Sequence, residues 1–347
     1  MTRTLHHHSA KASMVLITLM SASLLVGCSA DEPAPAPTES MTFDERVSAA
    51  QQEGTLTLYS TASDGANQSL AQGFEEEYGI KVEVLRLVTT DLVARFASEA
   101  ASGVNTADAV LIGVTNLFDT SPQLFREYGD MPNAVRLPDE ARESDITVVA
   151  AMDEQTVVWN TDLIKEGDEP QKWEDILDSK WKGNCILLDP RTTPTYLYWA
   201  KVMRDKYGDD FLRDLAAQDC RLADSGVTGS QQVAAGAAAI VVPPVPNHAA
   251  PLIRDGAPLA IQTMPEFNVG SQQRIALPAI SPHANAGWLF MDWVLGTQGQ
   301  EIYCAGTYAS LDPEAKDCWQ LPADYIPARS DLSEDEANEI FALLGLQ

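Results

Sequence analysis

Short apolar strands alternate with amphipathic helices twice along this chain, and no other feature restricts its fold as much. Residues 55–59 interleave β-branched and apolar side chains with polar ones, the period of a strand. Residues 66–78 follow with Leu70, Phe74 and Tyr78 at helical spacing. Residues 80–85 read as a strand, 91–101 as a helix and 108–112 as a strand. Ahead of them, Thr42-Phe43-Asp44-Glu45 sets a hydroxyl and a glutamate three apart, a capping box that predicts a helix through about Glu53. A second series begins at 185–188 (strand) and continues with 194–207 (helix), a helix around Val233 and a strand over 238–242. Strands near 259–263 and 275–277 and helices over 284–295 and 334–344 complete it. Alternation of this kind calls for an α/β fold, a parallel or mixed sheet covered by helices on both faces. Residues 41–347 are enough chain for two such lobes.

The start of the chain reads as an export signal. Arg3, three histidines and Lys11 precede an uncharged, mostly apolar run over 14–26, too short at 13 residues for the roughly 20 that a membrane-crossing helix needs. Residues 1–27 are therefore expected to be a signal peptide. Its exit, Leu25-Val26-Gly27-Cys28, resembles the lipobox of bacterial lipoproteins, which implies that Cys28 is lipidated and anchors the mature chain. Residues 28–40 are small, acidic and proline-punctuated and read as a disordered tether. An exported protein, lipid-anchored to the outer face of the cell membrane, is the expectation.

Composition narrows the partners. The formal net charge is −27, and the leader holds Arg3 and Lys11 but no acid, so its removal leaves −29. That charge opposes nucleic acid and adsorption to anionic lipid. Beyond Cys28, Cys185, Cys220, Cys304 and Cys318 form an even set in an exported chain, so two disulfides are expected. Spacing cannot fix the connectivity; Cys185 with Cys220 and Cys304 with Cys318 are the local pairings.

The order of segments resembles the bacterial extracellular solute-binding proteins of the ferric-iron and small-anion type, with the class II periplasmic-binding-protein fold. The resemblance rests on Gly54-Thr55-Leu56-Thr57-Leu58-Tyr59-Ser60-Thr61, Phe74 to Val82, Thr106-Ala107-Asp108-Ala109-Val110 and Val157 to Leu163. Trp173 to Asp178, Lys180-Trp181-Lys182-Gly183, Asp189-Pro190, Ser281 to Gly287, Phe290-Met291-Asp292-Trp293 and Gln298-Gly299-Gln300 continue it. It implies two lobes joined by crossing strands and closing on a ligand. Lobe one would take 41–150 plus 266–347 and lobe two 151–265, with hinges near 150–160 and 259–275. It also implies a small-molecule solute, an ABC permease with its ATPase as partners, a monomer, no cofactor and no enzymatic step.

In open α/β sheets ligands sit beyond the carboxyl ends of strands, where helices begin. Four such turns are rich in hydroxyls: Ser60-Thr61, Thr89-Thr90, Arg191-Thr192-Thr193 and Ser225-Gly226 with Thr228. Helix starts offer unpaired N–H groups and the positive end of a dipole, and Arg191 adds a forked cation. Together they predict an anionic or hydroxyl-rich solute of phosphonate, sugar-phosphate or carboxylate type. His248, with Asn247, is a further candidate. Ferric-iron members bring adjacent tyrosines to the metal from a stretch that corresponds here to Ala235 through His248, which has prolines at 243, 244 and 246 and no tyrosine pair, and this puts the iron alternative in doubt. Trp159 is a candidate cleft wall, Asn268 and Gly270 a return across the hinge, and Tyr196 and Tyr198 are expected to pack. An envelope-tethered hydrolase finds little support: the chain beyond the leader has only His248 and His283, with no G-x-S-x-G or H-E-x-x-H. A sensor lipoprotein is not separable from an importer subunit by sequence.

Overall fold

The computed structural model describes residues 41–305 and 307–346. The signal peptide, Cys28 and the tether expected in residues 1–40 lie outside the described residues.

The first helix, α1 (Phe43–Glu53), carries the expected capping box: Glu45 N–H donates to Thr42 Oγ1 at 3.3 Å and Thr42 N–H to the Glu45 carboxylate at 2.8 Å. Then come β1 (Thr55–Ser60), α2 (Asp64–Tyr78), β2 (Lys81–Arg86), α3 (Thr89–Ser102) and β3 (Ala109–Ile112). Short α4 (Leu117–Thr120), β4 (Phe125–Arg126) and α5 (Pro132–Arg136) lead into β5 (Thr147–Met152). Gly79, with φ near +71°, ends α2 in the left-handed conformation that a side chain would resist, so the chain turns at once into β2. In the first sheet the order is β2-β1-β3-β12-β4, with β5 also on β12 (Gln272–Pro278). β1 runs parallel to β2 and β3, and β12 antiparallel to β3, β4 and β5. α10 (Ala284–Leu295) and α11 (Thr297–Cys304) cover one face, and Leu56, Leu58, Leu111, Ile275, Leu289 and Phe290 are wholly buried between the layers.

The second sheet runs β10 (Leu259–Gln262), β6 (Val157–Asn160), β9 (Ile240–Val242), β7 (Cys185–Leu188), β8 (Arg221–Ala223). β7 is parallel to β8 and β9, while β6 is antiparallel to β9 and β10. Its helices are α6 (Pro194–Tyr207), α7 (Asp209–Ala217), α8 (Gly226–Ala234) and α9 (Pro246–Arg254). Trp173, Trp199 and Met203 fill the core beneath them. The fold is the two-lobed α/β architecture the alternation calls for.

Crossings between the lobes are polar and tightly fitted. Residues 153–156, Asp-Glu-Gln-Thr, join β5 to β6 and are all buried. They run against β11 (Asn268–Gly270), where a Cβ on Gly270 would overlap the Asp153 carbonyl. A third crossing, β13 (Tyr325–Pro327), pairs with β11. After it, α12 (Glu334–Leu343) packs on the second lobe: Ile340 and Leu344 join the core with Trp199 and Phe211, and Arg204 bonds Glu339 at 3.0 Å. This corrects the assignment of all of 266–347 to the first lobe, because the amphipathic last helix buries its apolar side on α6 and α7. Cys185–Cys220 and Cys304–Cys318 are both bonded, with Cα separations of 4.7 and 4.9 Å, tying β7 to the approach to β8 and α11 to the segment beyond it. Among the described residues no helix is long and apolar enough to cross a membrane.

Candidate functional site

A cavity of about 680 Å³ opens between the lobes. The starts of five helices face it: α2 through Ser63 and Asp64, α3 through Val88, Thr89 and Thr90, α6 through Thr192, Thr193 and Thr195, α8 through Ser225 and Thr228, and α9 through Asn247 and His248. Each follows the carboxyl end of a strand, where parallel β-α units leave their loops. Two starts are capped within the chain: Ala66 N–H donates to Ser63 Oγ and Thr228 N–H to Ser225 Oγ. Those of α3 and α6 have no side-chain cap; the first amides of α3 stay available to a ligand, whereas α6 opens on Pro194, which has no N–H, and Tyr196 N–H is bonded to Thr193 O, so it offers the Thr195 amide.

Most expected residues meet here. Thr61, Thr89, Thr90, Arg191, Thr192, Thr193, Ser225, Thr228 and His248 all line the cavity. Thr61 Oγ1 accepts from Gly113 N–H at 2.9 Å, which fixes it between β1 and β3. Thr89 and Thr90 lie within the first turn of α3 rather than ahead of it, since Val88 is the N-cap.

Three expectations change. Ser60 is fully buried and accepts from Ala62 N–H at 3.0 Å, so it shapes the turn and does not face the cavity. Gly226 is buried under the His248 ring, which a Cβ would strike; its N–H donates to Tyr196 OH at 3.2 Å. Arg191 lines the cavity with its guanidinium already engaged: Nε and Nη2 donate to the two Asp189 oxygens at 2.9 and 2.7 Å, and this pair holds the Asp189 carboxyl below its ordinary range.

Arg86, at the end of β2, stands across the cavity and was missed. Its Nε donates to Ala62 O at 3.2 Å and lies 3.7 Å from the exposed Asp64 carboxylate. The rule of strand carboxyl ends would have found it one residue past the predicted strand. Asn247 lines the cavity as expected, while Asp153, Ser271, Gln273 and Tyr308 were also missed. Asp153 is 4% exposed; Ser271 donates to it through N–H at 2.9 Å and Oγ at 2.7 Å, and burial still pushes the carboxyl up to about 6. His248 is partly buried at the wall, Val245 N–H donates to its Nδ1 at 3.3 Å, and desolvation brings the ring down to about 4, so it is neutral at pH 7.

Tyr196 packs as expected yet also reaches the cavity, whereas Trp159 is core and does not. Tyr196 and Tyr308 stand on opposite lobes, and burial raises both phenols well above their ordinary range. The side chains at 243–246 supply no phenolate for ferric iron. Asn268 is buried at the hinge, where its amide donates to Glu154.

Residues 69–318 match the model of a family described as bacterial extracellular solute-binding protein. An uncharacterised protein of Haemophilus influenzae is 24% identical over 269 residues, 73% of this chain and 76% of that one. The crystal structure of the substrate-binding protein of an ABC transporter from Agrobacterium tumefaciens is similar at a TM-score of 0.75 and 15% identity, covering 84% of this chain and 94% of that one. The periplasmic binding protein AfuA from Actinobacillus pleuropneumoniae, solved with fructose-6-phosphate bound, is similar at 0.69 and 19%, covering 85% and 99%.

Proposed function

The chain belongs to the bacterial extracellular solute-binding proteins, and from that membership we propose that it captures a small anionic or hydroxyl-rich solute for an ABC importer. One observation carries the ligand class: five helix starts and Arg86 converge on a single cavity between the lobes. The helix starts present partial positive charge, the uncapped start of α3 adds open N–H donors, and hydroxyls add donors without adding charge. A phosphonate, sugar phosphate or carboxylate suits such a surface. The sugar phosphate in the similar AfuA structure is consistent with that chemistry.

The mechanism is binding without chemistry. An open form takes solute on one wall, the lobes close over it, and the closed form is what an ABC permease with its ATPase would recognise. Lipidation at Cys28 and the acidic tether would keep the body near that partner and raise its effective concentration.

A thermal-shift screen of the body from about residue 41 tests the reading. A ligand at 100 times its Kd stabilises by about 2.7 kcal/mol. A shift with one or more phosphonates, sugar phosphates or carboxylates is expected. No shift with any anion, or turnover of one, would overturn it.

A further inference from the structure

We propose, on the reading that this cavity is the solute site, that its solute carries a protonated amine as well as an anionic group, the amine meeting Asp153 and the anion meeting Arg86 and the helix starts.

The charges facing the cavity are not those of a site for anions alone. Arg86 and Arg191 are its cations, and Asp64, Asp153 and Asp224 its carboxylates. Arg191 is neutralised locally by Asp189, and Asp64 is 87% exposed beside Arg86. Asp153 differs from the other carboxylates. It is buried on the segment that crosses between the lobes, it faces the cavity, and among the described residues no cation pairs with it.

A buried carboxylate without a cation is costly unless something compensates its charge, and two hydrogen bonds from Ser271 do so only in part. A ligand ammonium would complete it. Tyr196 from the second lobe and Tyr308 from the first also face the cavity. On the first-lobe wall, among the described residues, Arg86 makes one hydrogen bond, to a backbone carbonyl, with the exposed Asp64 carboxylate 3.7 Å away, and the starts of α3 and α6 have no side-chain cap. The site thus has a negative end at the hinge and a positive end at the strand and helix termini. A solute with one charge of each sign satisfies both, whereas a bare anion leaves Asp153 uncompensated.

Asp153 also holds Ser271, so a purely structural role is the rival explanation, and matched probes separate the two. Calorimetric titration of the wild-type body compares phosphoethanolamine with ethyl phosphate, 4-aminobutyrate with butyrate, taurine with ethanesulfonate, and glucosamine 6-phosphate with glucose 6-phosphate. At least one amine-bearing probe is expected to bind about tenfold or more tightly than its amine-free partner, the scale of a charged hydrogen bond. Asp153→Asn is expected to bring that ratio to within about twofold. Amine-free anions binding within about twofold of their partners, or a ratio unmoved in a folded Asp153→Asn protein, would overturn the inference and spare the solute-binding reading. The wild-type ratio decides even if the variant does not fold. No binding by any probe would overturn both.

Discussion

On the first-lobe wall of the cleft Arg86 holds a single backbone carbonyl at 3.2 Å, whereas on the second-lobe wall Arg191 gives its fork to Asp189 at 2.7 and 2.9 Å. The second wall then presents mainly neutral donors: Thr192, Thr193, Ser225, Thr228 and a His248 ring that burial keeps uncharged. Two arginines in similar positions at strand ends therefore do different work. Arg86 supplies charge that a ligand can use, and Arg191 holds the β7–α6 turn in place. In this account the first lobe selects by charge, and the second closes on the solute with hydroxyls and amides.

The largest expected effect lies between the walls. Burial lifts the Asp153 carboxyl from its ordinary value near 3.8 to about 6, so the folded protein binds an extra proton between these values and loses stability as pH rises through them. His248 acts oppositely: with a folded value near 4 against 6.5, its contribution is present above 6.5 and lost as pH falls toward 4. In the ligand-free wild type the two slopes oppose each other. The stability of Asp153→Asn relative to wild type should grow by roughly 2.4 kcal/mol in the variant's favour from pH 4 to pH 7, read by urea unfolding. A constant difference would mean that Asp153 is not held in a desolvating site.

Next comes the first wall. Arg86→Gln should weaken an anionic solute by about 10- to 100-fold, the value of charge-assisted hydrogen bonds, with little change in the melting temperature of the free protein. On the second wall, Gly226→Ala drives a Cβ into the His248 ring and should cost about 1–2 kcal/mol, a fall of a few degrees in melting temperature by calorimetry. The smallest effect belongs to Arg191→Ala, a change of less than about threefold in solute affinity, since its ion pair is partly exposed and local. A larger loss at Arg191 than at Arg86 would reverse the comparison.

Much of this was legible in the sequence because the signals are local. The Thr42–Glu45 box, the strand over Cys185–Leu188 and the helices Pro194–Tyr207 and Ala284–Leu295 lie where period and capping place them. The hydroxyl turns were readable for the same reason: a strand end followed by a helix start is visible in a dozen residues. What escaped depends on partners distant in sequence. Asp153 becomes a buried carboxylate only where Ser271 returns across the hinge; the Arg191–Asp189 pair is local, two residues apart, and was overlooked because a turn's side-chain geometry is not written in its spacing. α9 was missed because Pro246 and Pro251 look like helix breakers; Pro246 occupies the first turn, where no N–H bond is lost. The last helix was assigned to the wrong lobe because an amphipathic face declares that it packs, not on what.

The most direct measurement is a crystal structure of the body with the solute that stabilises it most. The expected outcome is the solute between the lobes, with its anionic oxygens within hydrogen-bonding distance of the Arg86 guanidinium and of the amides that open α3 or the Thr195 amide in the first turn of α6. An anion seated on Arg191 alone, or a solute bound outside the cleft, would contradict it.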